Sequence, residues 1–343
     1  MRDALAPGDA APEPGTPPTG TGRALGAHAT PWLAFAARRL WTLTVGMAVV
    51  VSLAFLLVHL IPGDPARIIA GPSAPVATVQ ELHDRLGLSE PLPTQFRSYL
   101  RGISRGDLGT SFSTNQPVTE IIGQRLPNTA RLAGLAFLAV LALSVPVGLA
   151  MGAIAHRPGR HPSDAAFGGV TAAVVSVPEF LIGVALVYGF GVKAGVLPVA
   201  GMAGVDSYVL PTAAIAAGPA AAMARIVRVE TLRVLDDDYM RTARSKRLPP
   251  RLLYLRHAFP NLLTSTLTVG GLIFASLLGG SVVVENVFAW PGLGTEAVRA
   301  ILIHDYPLIQ GIVLVLGACV LVVNAVVDLL LALVDRRSIV REN

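Results

Sequence analysis

Hydrophobic and polar positions in this chain are segregated into long blocks, without the short alternation that marks half-buried strands. Four stretches, Thr42 to Ile61, Leu132 to Ala155, Leu263 to Val284 and Leu308 to Val327, contain no Asp, Glu, Lys or Arg. As a helix, each is long enough to cross a hydrocarbon core of about 30 Å. Two further blocks are less clean: Phe167 to Val192 is interrupted by Glu179, and Val209 to Ala224 gives 16 residues before Arg225. With both counted, the pattern predicts an all-α integral membrane protein of about six transmembrane helices, over about 40–61, 131–155, 167–192, 209–229, 262–284 and 308–333. The same helices packed as a soluble core would need charged outer faces, which these segments lack.

The intervening stretches divide the rest of the chain. Residues 1–31 are rich in Pro, Gly, Ala and Thr without apolar periodicity, which predicts a disordered tail over 1–36. The Arg38-Arg39 flank precedes a 20-residue apolar run, longer than the apolar stretch of a cleaved signal, so the segment is expected to be retained. A transmembrane domain then covers 37–337, and 338–343 form a short C-terminal tail. Residues 62–128, between the first and second spans, are too many for a mere connector. They carry six basic and six acidic residues, with a short helix expected near 76–86, and should fold over one mouth of the bundle.

Charge sets the orientation. Hydrophobic residues make up 52% of the chain and charged residues 14%, against about 25% charged in soluble domains. Lys and Arg number four before the first span, two in 155–166, nine from Arg225 to Arg256 and three after residue 333. The loops 193–208 and 285–306 hold one each. The positive-inside rule therefore places both termini and the loop 230–260 in the cytoplasm, and 62–128, 194–208 and 285–306 outside. Cys319 is the single cysteine and lies within the last apolar run, which excludes an intrachain disulfide and a cysteine metal cluster.

The loop 230–260 carries the most information. Asp236, Asp237 and Asp238 are suited to start a helix, and Arg244, Lys246 and Arg247 to end one. Leu248-Pro249-Pro250 stops it, and a second helix is expected from Pro250 to Phe259. On the first helix Tyr239, Thr242, Ala243 and Lys246 share a face whose small residues admit a close partner. A plain anchor against anionic lipid needs basic residues but none of this punctuation. The expected role is a rigid lever docked into another protein.

The stretch Asp238-Tyr-Met-Arg-Thr-Ala-Arg-Ser-Lys-Arg-Leu248, with Arg256-His-Ala-Phe-Pro-Asn261 after it, resembles the coupling loop of permease subunits of binding-protein-dependent ABC importers. Further segments narrow the resemblance to the dipeptide, oligopeptide and nickel branch. They are Arg38-Arg-Leu40 leading to Leu60-Ile-Pro-Gly-Asp-Pro65, Leu86-Gly-Leu88 with Pro91-Leu-Pro93, Gly106-Asp-Leu-Gly109, Val284-Glu-Asn-Val-Phe-Ala-Trp-Pro-Gly-Leu-Gly294, and Asp305-Tyr-Pro307 with Gln310-Gly311.

The resemblance implies a type I ABC importer permease fold in a bacterial-type cell membrane, forming half of a translocation pathway for a peptide-like or other small solute. It implies a second permease subunit in a heterodimer, two ATPase subunits and an external solute-binding protein as partners. ATP and Mg would bind the ATPase subunits, with no cofactor on this chain. Carried over by position, ATPase docking falls on Asp238, Tyr239, Arg241, Thr242, Ala243, Lys246 and Arg247. Binding-protein docking falls on Gly106, Asp107, Gly109, Trp290, Pro291 and Gly292. Family loops usually carry glycine where this chain has Arg247, at a helix exit where a left-handed residue costs a non-glycine side chain roughly 1 kcal/mol.

Glu179, in Ser176-Val-Pro-Glu-Phe180, is an ionisable residue at membrane depth and so a candidate for the solute pathway. Asp328 and Asn324 share a face near one end of the last span and read as helix-to-helix glue. His59, Phe288 and Trp290 read as interfacial residues. The chain has no Gly-x4-Gly-Lys-Ser/Thr loop to cradle ATP, and no His-Glu-x2-His or Gly-x-Ser-x-Gly constellation for hydrolysis, so catalysis is not expected on it. The competing reading is a self-sufficient transporter driven by protons through Glu179 or Asp328, which would have no use for a capped docking loop.

Overall fold

The computed structural model describes residues 30–334, apart from 61–63, 72, 86, 158, 160–161, 247–248 and 250–251. Among these residues there is no β-strand, only an isolated antiparallel bridge between Thr110 and Pro117. The helices are α1 Thr30–Leu60, α2 Pro65–Ala70, α3 Val76–Arg85, α4 Leu92–Ser104, α5 Val118–Ala155, α6 Pro162–Ser176, α7 Glu179–Leu186, α8 Val209–Asp236, α9 Asp238–Ser245, α10 Phe259–Gly280, α11 Val282–Val287, α12 Leu293–Leu302 and α13 Tyr306–Val334. π-helical turns extend α7 over Val187–Lys193 and lead into α10 over Leu253–Ala258.

By length and composition, four helices can cross a membrane: Ala36–Leu60 of α1, α5, Asp206–Asp236 including α8, and Tyr306–Leu333 of α13. The predicted span 167–192 is α6 and α7, bent by 94° at the Val177-Pro178 break. Proline there has no N–H to continue α6 and presets the backbone that opens α7. The predicted span 262–284 becomes α10, with an apolar stretch Thr266–Gly280, followed by the separate short α11.

The bundle is organised on the α5 and α8 pair, whose contact buries Leu132, Ala136, Val140, Ile215, Met223 and Val227. Close approach needs small residues. A Cβ on Gly148 would lie 2.6 Å from Val227 Cβ, and one on Gly152 would lie 2.5 Å from Thr231 Cβ. Gly152→Val is therefore expected to lower the midpoint of thermal unfolding in detergent, at an overpacking cost of about 1–3 kcal/mol. Gly134→Ala on the same helix meets nothing within 4 Å. It should leave the midpoint unchanged or raised, so equal loss in both variants would refute this packing account.

A second layer joins α1, α10 and α13. Arg39 pairs with Asp328 across α1 and α13, at a cavity of about 290 Å³ also lined by Thr42, Thr268 and Asn324. This agrees with the expected gluing role for that face of α13. His59 hydrogen-bonds Phe55 O (3.0 Å) and approaches Gln95 Oε1 (3.3 Å), which ties α1 to α4.

The loops sort to two ends of the bundle. One end carries α9 and the Leu253–Ala258 turn, with His156 at the end of α5 lying 3.5 Å from Asp236. The opposite end gathers 105–129, 201–208 and α11 to α12, where Gly201 N donates to Phe288 O (2.8 Å).

Candidate partner interfaces

At the first end α9 leaves α8 at Asp237, an extended residue whose carbonyl accepts from Met240 N and Arg241 N. Asp237 occupies the expected N-cap position, yet its side chain makes no cap hydrogen bond. The start is set by backbone geometry and the negative charge of Asp238 in the first turn. Arg244 does act at a helix end, but that of α8: its guanidinium donates to Leu235 O. This satisfies one of the carbonyls left free where α8 stops.

Met240 and Ala243, one helical turn apart, are buried with Val234, Leu235, Leu253, Ala258 and Leu262. Ala243 thus faces inward onto its own chain, which corrects its expected place on the docking face. Its small side chain permits α9 to lie close on the bundle. The exposed face is Asp238, Tyr239, Arg241, Thr242, Ser245 and Lys246. Tyr239 Oη accepts a 2.7 Å hydrogen bond from Asn261 Nδ2, fastening α9 to the start of α10. Burial pushes the Tyr239 phenol above its ordinary pKa, while the Asn261 bond acts in the opposite sense. The expected docking position Arg247 lies outside the described residues.

At the opposite end two buried carboxylates hold the loops. Glu285 of α11 is fully buried. Its Oε1 accepts from Thr129 Oγ1 (2.8 Å) and Ser281 Oγ (3.1 Å), and its Oε2 from Gly294 N (2.7 Å) and Thr295 N (3.2 Å). Thr129 Oγ1 in turn accepts from Leu293 N (2.8 Å). The first three N–H groups of α12 are therefore all spoken for by two side chains, the nearer of them Glu285, nine residues before Gly294, a distant substitute for a cap. Burial pushes the Glu285 carboxyl above the usual range, opposed by its four donors.

Trp290 and Gly292 are buried here and do not form an exposed docking surface, contrary to the sequence expectation. Trp290 stacks edge-on against Tyr208 with ring centroids 4.6 Å apart, and its indole N–H donates to Asn128 O (3.3 Å). Phe288 is likewise core, not interfacial. A Cβ on Gly292 would lie 2.3 Å from Glu285 Oε2, so only glycine lets the carboxylate reach α12. Pro291 is half-buried, and its carbonyl accepts from Asn128 Nδ2 (2.8 Å).

Gly106, Asp107 and Gly109 are exposed, as a docking loop requires. Both glycines have positive φ, 75° and 83°, and Asp107 Oδ1 accepts from Gly109 N (2.9 Å), which closes the turn. The following loop is pinned by Asp305, fully buried just ahead of α13. Its Oδ1 accepts from Phe112 N (3.1 Å), and its Oδ2 from Ser111 Oγ (2.5 Å), Ser113 N (3.1 Å) and Ser113 Oγ (2.9 Å).

Comparison with known proteins gives these two ends a context. A family model described as "Binding-protein-dependent transport system inner membrane component" matches residues 144–340, and the N-terminal model of the same systems matches 32–133. The chain belongs to this permease family. A permease named for a peptide transport system in Brucella abortus (strain 2308) is 41% identical over 299 residues, covering 85% of this chain and 94% of that one. The glutathione transport system permease protein GsiC of Pectobacterium atrosepticum is 40% identical over 300 residues, covering 87% and 96%. Among solved structures, the inward-facing MetNI methionine ABC transporter aligns with a TM-score of 0.50 at 17% identity, over 63% of this chain and 96% of that chain, a likeness in fold.

The permease is thus the membrane-spanning subunit of an ABC importer with the type I fold, and ATP hydrolysis lies on separate subunits. It works with ATPase and substrate-binding subunits, and the proton-coupled reading is set aside. Glu179 of the permease opens α7 at the 94° break and is half-buried; among the described residues nothing hydrogen-bonds or ion-pairs its carboxyl group. Sequence reading met Glu285, Asp305, Met240 and Asn261 only as letters of longer motifs and gave none of them a role. The usable signal for the two acids was a carboxylate at the edge of a long apolar block.

Proposed function

We propose that this permease forms half of the import pathway for a peptide-like solute, paired with a second, similar permease chain in a heterodimer within a bacterial inner membrane. The observation that carries the reading is the shape of α9, which has an apolar face sunk into its own bundle and a polar face left bare. Such a helix transmits force between the bundle and whatever covers its polar face. ATPase subunits would dock on Asp238, Tyr239, Arg241, Thr242, Lys246 and Arg247. The basic residues gathered around that end support a cytoplasmic position for it and for both termini, with spans as predicted from the sequence.

The opposite end would then face outward and receive the solute-loaded binding protein at Gly106, Asp107, Gly109 and Pro291. ATP-driven closure of the ATPase subunits would move α9 with the ends of α8 and α10, and switch the exposure of the pathway. The names of the peptide and glutathione relatives support a peptide-like cargo.

The test is reconstitution of both permease chains, the ATPase subunits and the binding protein in liposomes. Uptake of a labelled peptide should require ATP on the ATPase side and binding protein on the other. Uptake that follows an imposed proton gradient without ATP would refute the reading.

Glu179 is proposed to line the pathway, because an unpartnered carboxyl at a helix break is costly in lipid and tolerable beside water. Glu179→Gln should lower peptide uptake about threefold while preserving assembly, a barrier change of about 0.7 kcal/mol. Unchanged uptake removes the pathway role.

A further inference from the structure

We propose that Asp305 is a positioning residue that presets the 109–118 loop for the external binding protein; the inference rests on the docking reading above. The loop is a tight turn-back: Val118 N donates to Gly109 O (3.0 Å), Ser111 N to Gln116 O (2.9 Å), and Asn115 N to Ser111 O (3.0 Å). Asn115 at its tip has φ 56°. Residues 113–117 are exposed, while Ser111 beneath them is buried. A short polar loop of this kind has no apolar core of its own to fix its shape.

Asp305 supplies what the loop lacks. It lies 192 to 194 residues away in sequence, yet accepts two backbone N–H and two hydroxyl donors from Ser111, Phe112 and Ser113. No cation pairs with it among the described residues. A buried anion held only by neutral donors is a poor device for stability and a good one for specifying geometry, since each donor must be aimed. Hydroxyls can turn to accept instead of donate; backbone N–H groups cannot. An amide at this position would therefore meet Phe112 N or Ser113 N donor to donor, and the loop would shift.

Asp305 also directly precedes Tyr306, the first residue of α13, and Ile309 N donates to its carbonyl (3.0 Å). The same residue thus opens a membrane-spanning helix and holds the outer loop. Contact of the binding protein with that loop is passed to α13 through this polar side chain, beside the apolar cluster that Val118 shares with Leu308, Ile309 and Ile312.

The experiment uses the reconstituted transporter in a Cys319→Ala background carrying Gln116→Cys, an exposed loop position, joined to the binding protein by a short cross-linker. ATPase activity is measured against binding-protein concentration, with and without Asp305→Asn. The expected result is a cross-link in the parent that weakens in Asp305→Asn, and a half-saturating binding-protein concentration raised about tenfold. Basal ATPase activity and assembly should be retained. Ser113→Ala, which removes one donor of the four, should shift the same concentration less.

A cross-link and a half-saturating concentration both unchanged by Asp305→Asn overturn the proposal and leave the docking reading standing. No cross-link in the parent overturns the docking reading and the proposal with it. A fall in assembly and basal activity, with Ser113→Ala indistinguishable from the parent, makes Asp305 a folding residue only and overturns the proposal.

Discussion

Permease carrying Arg241→Glu together with Lys246→Glu inserts into the membrane but no longer retains its ATPase subunits on purification. Both residues lie on the exposed face of α9, away from Met240 and Ala243, so their reversal leaves the helix anchored. Reversing two charges at an interface replaces attraction by repulsion, and a loss of about a hundredfold in affinity is the expected scale. Met240→Ala should act differently, because it empties a fully buried site and loosens α9 from the bundle. That variant is expected to keep its ATPase subunits while losing coupling, read as ATPase activity no longer stimulated by the binding protein. Co-purification undiminished by the double reversal would end the docking assignment.

The contrast between these variants marks where sequence reading reached its limit. The blocks of apolar residues and the distribution of Lys and Arg made the helices legible, because both signals are long and cumulative. The break at Pro178 was not, because the apolar pattern of the predicted span runs straight through it. Which face of α9 turns inward was not. Its Thr242 and Ala243 are both small, and only the position of Leu235, Leu253 and Leu262 around it decides that Ala243 is covered and Thr242 bare. Trp290 and Gly292 misled in the same direction as Ala243. Their place in a loop between spans suggested a surface, whereas the loop folds back under Glu285 and Tyr208. The roles of Glu285 and Asp305 depend on donors from Thr129 and Ser111, far away in sequence, and no local pattern encodes such pairings.

Glu285→Ala gives the largest loss of stability expected of any single substitution at the α12 end. It strands Gly294 N, Thr295 N and Ser281 Oγ together, and leaves Leu293 N on Thr129 Oγ1 as the one remaining tie of the first three α12 N–H groups. What remains is neutral donors and no unpaired charge, so the scale is about 1–3 kcal/mol for each buried donor left unsatisfied. Glu285→Gln should cost less, because its carbonyl can still accept from the two backbone groups while Thr129 and Ser281 turn to accept from its amide. The check is the thermal midpoint of the purified permease in detergent, with the order parent, Gln, Ala. If Ala melts with the parent, the carboxylate does not hold this end together.

The length of α5 has a mechanical consequence. Its 38 residues extend about 57 Å, nearly twice the thickness of the hydrocarbon core. Three turns in from its start it bears Thr129 and the Glu285 fastening; at the far end, Gly152 is wedged against Thr231, and His156 lies near Asp236. A tilt of about 10° pivoted at one extremity sweeps the other through roughly 10 Å. A small rocking near α9 is thereby amplified across the bilayer in proportion to the length of α5, and Pro127 and Pro146 are the places within it where that sweep can be redirected.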